Sequence, residues 1–186
     1  MADRVGFVLY AWDSGQAGRL MYGYKDNPGA SHRRIVQALL TYAVAAHWPC
    51  ISASFGPPDA WTIVPSLKRR PGIHPLESAT ASFLKSIPQV PVASAQAPRE
   101  PREIRPTNFI VSPTRAQHVL VVEDSWVTGA HVQSVTAALK AAGVRYVTAI
   151  CVARWLSADF AKNTEFTSQI RAPFDPDICP FTGSRC

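Results

Sequence analysis

The sequence of 186 residues has no apolar run long enough to cross a bilayer, which takes about 20 consecutive residues. Its first residues, MADRVGFVLYAW, lack the small-residue cleavage site of a signal peptide. Charged residues make up only 17% of the chain and apolar residues 47%, a composition that excludes an intrinsically disordered protein. We therefore expect a soluble cytoplasmic protein with no membrane partner, folded as one domain over residues 1–186.

Acidic residues are fewer than basic ones, 13 against 19, and the net charge of +6 indicates an anionic partner. The basic residues between positions 68 and 105 show no regular alternation with aromatic residues, and the chain has no recognisable nucleic-acid-binding motif. A phosphate-rich small molecule accounts for the same excess. Nucleic acid is therefore the less expected partner.

Only four cysteines are present, and a reducing cytosol would keep them from forming a disulfide framework. Cys50 and Cys151 lie in apolar runs and are interpreted as core residues. Cys179 and Cys186 flank the tail segment CPFTGSRC. Two cysteines do not make a structural zinc site, which takes four ligands, so such a site would also need Cys50, Cys151 or a histidine.

Apolar spacing predicts alternating strands and helices. Strands are expected at residues 5–12, 61–64, 108–111, 118–122 and 146–153, and helices at residues 31–48, 75–87, 130–142 and, less regularly, 158–171. One face of the first helix is predicted to carry Ile35, Leu39, Tyr42 and Ala46. Gly143 should end the helix at 130–142 in a left-handed conformation. The unbroken apolar run HVLVV at 118–122 is typical of a central parallel strand, and the strand–helix–strand order around it indicates an α/β fold.

The segment VLVVEDSWVTGAHVQS, residues 119–134, carries most of the functional information. A buried parallel strand delivers its carboxyl end to the crevice where α/β proteins bind ligands, and Glu123 and Asp124 stand at that end. A short loop with Thr128 and Gly129 then leads into a helix, whose first N–H groups and dipole attract anions. The alternative interpretation is that the acid pair merely ends a strand and Asp124 caps a turn.

A ribose 5-phosphate would satisfy both halves of this segment. Carboxylates accept hydrogen bonds from paired ribose hydroxyls and can also hold magnesium, directly or through its waters. The helix N-terminus would take the phosphate. Along the chain the hydroxyl-binding residues come first and the phosphate-binding residues follow. This arrangement matches a ligand of that length, with hydroxyls near its middle and a phosphate at one end.

The same segment resembles the motif by which type I phosphoribosyltransferases bind 5-phosphoribosyl 1-pyrophosphate (PRPP). The resemblance implies a three-layer fold of that kind, with a parallel sheet and a small N-terminal hood. It implies that Glu123 and Asp124 contact the ribose and that Asp124 holds Mg²⁺ through the ligand or water. The residues implied to surround the 5-phosphate are Ser125, Trp126, Val127, Thr128, Gly129, Ala130 and His131. Val127 stands where Ser or Thr is frequent, and His131 replaces a hydroxyl residue, although a protonated histidine can also donate to phosphate.

A looser resemblance links residues 24–155 to the ComF-type, amidophosphoribosyltransferase-like branch, through Tyr24-Lys25, Ile63-Val64-Pro65 and the segment RPTNF at 105–109. The chain lacks the cysteine-rich zinc module with which that branch often begins, so residues 1–30 are expected to form a hood or an edge strand. A mobile loop is implied within residues 94–107, and residues 172–186 are expected to be an irregular tail. The resemblance places pyrophosphate binding at Ser66, Leu67, Lys68, Arg69 and Arg70, a segment that could equally be a solvated basic turn.

These features predict a magnesium-dependent phosphoribosyltransferase that joins PRPP to an amine or nucleobase nitrogen and releases pyrophosphate. Its catalytic residues would be Glu123, Asp124, Arg102 and Arg105, with Arg99 as a further candidate of the mobile loop. A second hypothesis is a non-catalytic sensor of PRPP or nucleotides, and a third is a competence-associated accessory protein linked to DNA uptake. The partners expected are PRPP or a nucleoside monophosphate, an unidentified acceptor and, as an allowed assembly, a homodimer.

Overall fold

The computed structural model describes residues 1–26, 30–67, 73–95, 102–157, 167 and 174–185. Its strands are β1 (Arg4–Trp12), β2 (Ala60–Ile63), β3 (Val92–Ser94), β4 (Phe109–Val111), β5 (His118–Trp126) and β6 (Tyr146–Leu156). Its helices are α1 (Gln16–Asp26), α2 (Ala30–Ala46), α3 (Trp48–Ser52), α4 (Pro75–Phe83) and α5 (Ala130–Ala141). None of the described helices is both long enough and apolar enough to cross a membrane.

The centre of the fold is a four-stranded parallel sheet in the order β1–β6–β5–β2. Alternate side chains of β5 pack on opposite faces of this sheet. Leu120 and Val122 join the core beneath α1, α2 and α4, whereas Val119 and Val121 join the core beneath α5. All four are fully buried, as a strand between two helical layers requires. The predicted α/β fold with a parallel sheet covered on both faces is confirmed.

Each edge of the main sheet carries a further backbone contact. Beside β2, the Trp61 N–H donates to the Pro88 carbonyl and the Val90 N–H donates to the Trp61 carbonyl. Beside β1, the Phe7 N–H donates to the carbonyl of Pro180 in the tail. The antiparallel pair β3–β4 forms a separate small sheet on the α5 side of the molecule, where Phe109 joins the core beneath α5.

The central strands are longer than the sequence pattern predicts. β5 continues through Trp126 and β6 through Leu156, because each strand stays paired with its parallel neighbour along that length. Glu123 and Asp124 therefore lie within β5 rather than after it. The helix α5 begins at Ala130 as predicted, and Gly143 follows it with a left-handed φ of 98°.

The apolar face that the sequence pattern shows on α2 lies one residue away from the face that enters the core. Ile35 and Tyr42 are 47% and 45% exposed. The side chains that enter the core are Val36, Leu40, Ala43 and Val44. Two adjacent stripes of this helix are apolar, so periodicity alone does not select between them. Tyr42 remains outside the core and donates its hydroxyl to Asp177 at 2.8 Å.

The first 26 residues contain more structure than the sequence pattern predicts. Of the two forms expected there, a hood or an edge strand, residues 4–12 take the second as β1. The helix α1 is not predicted, because its sequence QAGRLMYGYKD contains two glycines, which disfavour a helix interior. The predicted helix at 158–171 lies, apart from residue 167, outside the described residues.

His118 at the start of β5 is buried and makes two hydrogen bonds. Its Nδ1 lies 2.8 Å from the Gly56 carbonyl, which can only accept, so Nδ1 carries the proton. Its Nε2 then accepts from the Thr148 hydroxyl, also at 2.8 Å. Burial lowers the pKa of His118 below its ordinary value of 6.5, against weaker opposing effects of Gly56, Asp59 and Asp3.

This arrangement predicts that the chain loses stability in mild acid. Because the unfolded chain takes up the His118 proton more readily, the free energy of unfolding should fall as the pH drops below 6.5 toward the lower folded pKa. Urea unfolding at about pH 7.5 and about pH 5.5 measures the fall. In His118→Gln the decline should be smaller, whereas His32→Gln should keep the wild-type decline. An equal decline in all three proteins would show that His118 does not cause it.

Candidate functional site

A cleft with a volume of about 320 Å³ opens at the carboxyl end of β5, where this strand turns into α5. It is lined by Arg102, Glu123, Ser125, Val127, Thr128, Gly129, Ala130, His131 and Val132. Among the described residues, the segment singled out in the sequence therefore supplies all of this lining except Arg102. Such a position, outside the carboxyl ends of parallel strands, is where ligands bind in open α/β sheets.

The two acidic residues of β5 have different surroundings. Glu123 lines the cleft and accepts the Asp124 N–H on Oε1 at 2.9 Å. Asp124 is buried, at 4% exposure, and is not among the residues that line the cleft. Successive side chains of a strand point to opposite faces, so the pair is not presented to one ligand as two equal acceptors. The structure brings Glu123, but not Asp124, into the cleft wall.

Tyr24 of α1 lies close to both carboxylates, on the face of the sheet that α1 covers. Burial, together with the negative charges of Asp124 and then Glu123, raises the pKa of the Tyr24 phenol. Its hydroxyl is buried and has no hydrogen-bond partner among the described residues. The same two carboxylates, after burial, raise the pKa of the Cys151 thiol on β6. Tyr24 and Cys151 thus both lie near the two carboxylates at the end of β5.

The turn between β5 and α5 consists of Val127, Thr128 and Gly129. Gly129 has a φ of 79°, and a Cβ atom added to it would lie 2.1 Å from Cζ2 of Trp126. The Trp126 ring therefore rests directly against the glycine, and its other side meets Phe7 edge-on at 5.4 Å. Thr128 Oγ1 accepts the Ala130 N–H at 3.3 Å, and Gly129 caps α5 without any side chain. The first residues of α5, from Ala130 to Val132, line the cleft together with this turn.

His131 and Val127 stand at the positions that depart from the family pattern. His131 lines the cleft, is partly exposed, and has its ring centroid 6.4 Å from that of Phe109. Val127 is 65% exposed and contributes no hydroxyl to the cleft. The donors that the described part of the wall offers are therefore backbone N–H groups, Ser125, Thr128, His131 and Arg102.

The two described arginines of the predicted mobile loop have separate roles. Arg102 lines the cleft. Arg105 pairs its guanidinium with Glu103 at 2.9 Å, and its backbone N–H donates to Ser134 Oγ at 2.7 Å. Ser134 in turn donates to the Ala130 carbonyl at 2.6 Å, which ties the loop to the first turn of α5. Arg99 lies outside the described residues.

Ser134 is a positioning residue that sequence reasoning did not identify. The sequence signal that could have identified Ser134 is its position on the buried face of α5. The other residues of that face, such as Val132 and Val135, are apolar, so a hydroxyl stands out among them. A buried hydroxyl needs hydrogen-bond partners, and here they come from two different segments.

The predicted pyrophosphate segment is described only in part. Ser66 and Leu67 follow β2, which is parallel to β5 and lies beside it in the sheet. The chain after β2 and the chain after β5 therefore both leave the sheet at the carboxyl ends of the strands. Both are half-buried, Leu67 packs against the core beneath α5, and neither lines the cleft. Lys68, Arg69 and Arg70 lie outside the described residues.

No family model matches the chain, and a search of curated proteins also finds no match. Among solved structures, the chain is similar to a hypoxanthine phosphoribosyltransferase from Staphylococcus aureus, with 12% identity, a TM-score of 0.38, and coverage of 68% of this chain and 75% of that one. It is also similar to a purine phosphoribosyltransferase from Pyrococcus horikoshii, with 14% identity, a TM-score of 0.31, and coverage of 82% and 92% respectively.

Proposed function

We propose that the chain binds a ribose 5-phosphate ligand, either PRPP or a nucleoside monophosphate, in the cleft at the carboxyl end of β5. One observation carries the proposal. A cleft carboxylate, Glu123, and the amino end of α5 line the same cleft, separated by a turn that depends on Gly129. A ligand that has hydroxyl donors at one end and a phosphate at the other matches both groups at once.

Each cleft residue then has a distinct task. The first N–H groups of α5 would receive the 5-phosphate, helped by the Thr128 hydroxyl and by the helix dipole. Arg102 would add a positive charge, and His131 would donate to phosphate when protonated. Glu123 would accept hydrogen bonds from the ribose hydroxyls. The role predicted for Asp124 becomes one of setting the charge beneath the cleft, because its side chain is not part of the wall.

Magnesium fits this donor set as a companion of the ligand. Mg²⁺ is held in many phosphate sites by one or two carboxylates together with phosphate oxygens and water, and the cleft supplies one carboxylate, that of Glu123. When bound, the ion would neutralise negative charge on the diphosphate. Glu123 would hold it directly or through water.

The reaction we propose for PRPP is transfer of its phosphoribosyl group to an amine or a nucleobase nitrogen. The bond from C1 to the pyrophosphate oxygen breaks, a bond from C1 to nitrogen forms, and the nitrogen loses its proton to water. The chain's own contribution is to orient the ribose and the 5-phosphate and to stabilise charge, as in other reactions of phosphorylated ligands that need no covalent intermediate. Arg102, which lines the cleft, would stabilise the negative charge of the leaving pyrophosphate.

Titration calorimetry with PRPP and Mg²⁺ tests the binding proposal. We expect Glu123→Gln to weaken binding by roughly 10- to 100-fold, because a hydrogen bond to a charged group contributes about 1.5–3 kcal/mol. Asp124→Asn should cost less affinity, since only Glu123 lines the cleft.

Glu77→Gln is the matched control, because Glu77 lies on α4 and accepts a hydrogen bond from Gln89 outside the cleft. It should bind the ligand as the wild type does. Wild-type protein that is folded and still shows no heat of binding with PRPP or with nucleoside monophosphates would contradict the proposal.

A second candidate function is binding without turnover, as in a sensor. The observations that favour it are the exposed Val127 in place of a hydroxyl residue and the absence of Asp124 from the cleft wall. Pyrophosphate release from PRPP, measured across a panel of amines and nucleobases, separates the two candidates. Release with any acceptor supports the transferase, whereas tight binding with no release across the panel supports the sensor.

A further inference from the structure

A second cluster of chemically active side chains lies away from the cleft. The ligand atoms of His47, Cys50 and Cys179 all lie within 4.8 Å of one another. The Arg4 guanidinium at the start of β1 donates to the Cys50 carbonyl, which places the cluster near the amino ends of the parallel strands. The cleft lies at their carboxyl ends, so the two sites lie at opposite ends of the parallel strands.

Two of the three side chains come from one turn of helix. His47 precedes α3, and the Ile51 N–H donates to the His47 carbonyl at 2.9 Å, which closes a helical turn around Cys50. Residues three apart in such a turn face the same side. Their spacing, His-x-x-Cys, is therefore suited to hold one ion between them.

The third side chain comes from the tail, about 130 residues later, and is held firmly. The Cys179 N–H donates to the Ser184 carbonyl at 2.8 Å, and the Gly183 N–H donates to the Cys179 carbonyl at 2.9 Å. The neighbouring Phe181 packs against Gly6 and beneath the Arg4 guanidinium. The tail is thus folded against β1 so that the Cys179 sulfur is buried beside the other two ligands.

The hydrogen bonding of His47 suits metal binding. Its Nε2 lies 3.2 Å from the Pro176 carbonyl, and because a carbonyl only accepts, Nε2 carries the proton in this contact. Nδ1 of the neutral ring then has the lone pair that a metal needs. A metal-binding histidine commonly donates its second N–H to a backbone carbonyl in this way.

The donor set and its dimensions indicate zinc. Two cysteine sulfurs and one imidazole nitrogen are the ligands that zinc takes in structural sites. Tetrahedral bonds of about 2.3 Å to sulfur and about 2.0 Å to nitrogen separate ligand atoms by about 3.5–3.8 Å. The spread of up to 4.8 Å in the cluster reaches that geometry through small side-chain rotations. A Cys50–Cys179 disulfide would leave the position of His47 unexplained.

We propose that His47, Cys50 and Cys179 bind a zinc ion that fastens the tail to the junction of α2 and α3. Zinc would supply here the folding energy that a tail of irregular structure does not gain from secondary structure.

Metal analysis of the full-length chain, loaded with zinc under reducing conditions and freed of excess metal, tests the proposal. We expect about one zinc ion per chain. Cys50→Ser and Cys179→Ser should each lower the content at least tenfold. Cys151→Ser is the matched control, since Cys151 is buried in β6 outside the cluster, and it should keep the full content.

Cobalt substitution provides a readout that does not depend on how well the variants fold. The wild-type chain loaded with Co²⁺ should show the intense visible absorption of tetrahedral thiolate coordination, and zinc should abolish it. Removal of zinc from the wild type by a chelator should speed proteolytic cleavage of residues 174–185, and zinc but not magnesium should reverse this. Wild-type chain that retains no zinc or cobalt, or that forms a Cys50–Cys179 disulfide under these conditions, would overturn the proposal. Neither result bears on ligand binding in the cleft.

Discussion

Alanine in place of Gly129 should abolish most of the ligand binding of the cleft. The added Cβ would lie 2.1 Å from the Trp126 ring, and the residue would keep a φ of 79°, where alanine is strained. The turn must therefore move, and with it the first N–H groups of α5. A shift of about 1 Å in such positioning groups can cost roughly 100-fold, which is the loss of PRPP affinity that we expect. Stability should fall by about 2–4 kcal/mol, measured by urea unfolding.

Gly56→Ala separates the effect of backbone strain at a positive φ from the effect of a steric clash with a neighbouring side chain. Gly56 has nearly the same φ, 76°, but an added Cβ meets nothing within 4 Å, so this variant should lose only about 1–2 kcal/mol and bind ligand normally. Trp126→Ala and Gly129→Ala together should cost less stability than the sum of the two single losses, because the first change removes the ring that the methyl group strikes. If Gly129→Ala bound PRPP as tightly as Gly56→Ala, the turn could not be the phosphate-binding element.

Gly18→Ala should have the largest effect on stability outside the cleft. Gly18 lies in the first turn of α1, and a Cβ there would be 2.0 Å from the Trp12 carbonyl oxygen and 2.8 Å from that of Asp13. These are backbone atoms at the end of β1, so no side-chain rotation relieves the overlap. The helix must separate from the strand, and we expect a loss of about 3 kcal/mol or more in urea unfolding.

Gly15→Ala is the matched control for this substitution. Its added Cβ would come within 3.2 Å of the Trp12 Cβ, a tight contact that a small adjustment relieves, so its loss should stay near about 1 kcal/mol. A Gly18→Ala chain as stable as Gly15→Ala would mean that α1 does not pack on β1 as closely as the structure shows.

The parts of the fold that the sequence predicts well are those fixed by local pattern. The unbroken apolar run HVLVV predicts a strand that is buried on both faces, and the helical spacing after Ala130 predicts a helix. The glycine at 143 predicts a left-handed φ at the end of that helix. The α/β fold follows from the order of these elements. The position of the cleft follows in turn, since it lies where β5 gives way to α5.

The parts that the sequence does not predict depend on contacts between distant segments. Which of two apolar stripes of α2 enters the core is decided by the sheet beneath it, and α1 holds its place through close packing of Gly18 on Trp12. Asp124 follows Glu123 in sequence, yet only Glu123 lines the cleft. The joining of His47 and Cys50 with Cys179 requires the tail to fold back across β1, which no local pattern records.

The contacts along the two edges of the main sheet affect how copies of the chain can meet. An open edge strand exposes unpaired N–H and C=O groups and invites pairing with another chain, which is a common route to aggregation. Here Pro180 of the tail is hydrogen-bonded to β1, and residues 88–90 are hydrogen-bonded along β2. Short irregular segments thus pair with part of each outer strand. Loss of the tail would free the Phe7 N–H and leave β1 more open to self-association.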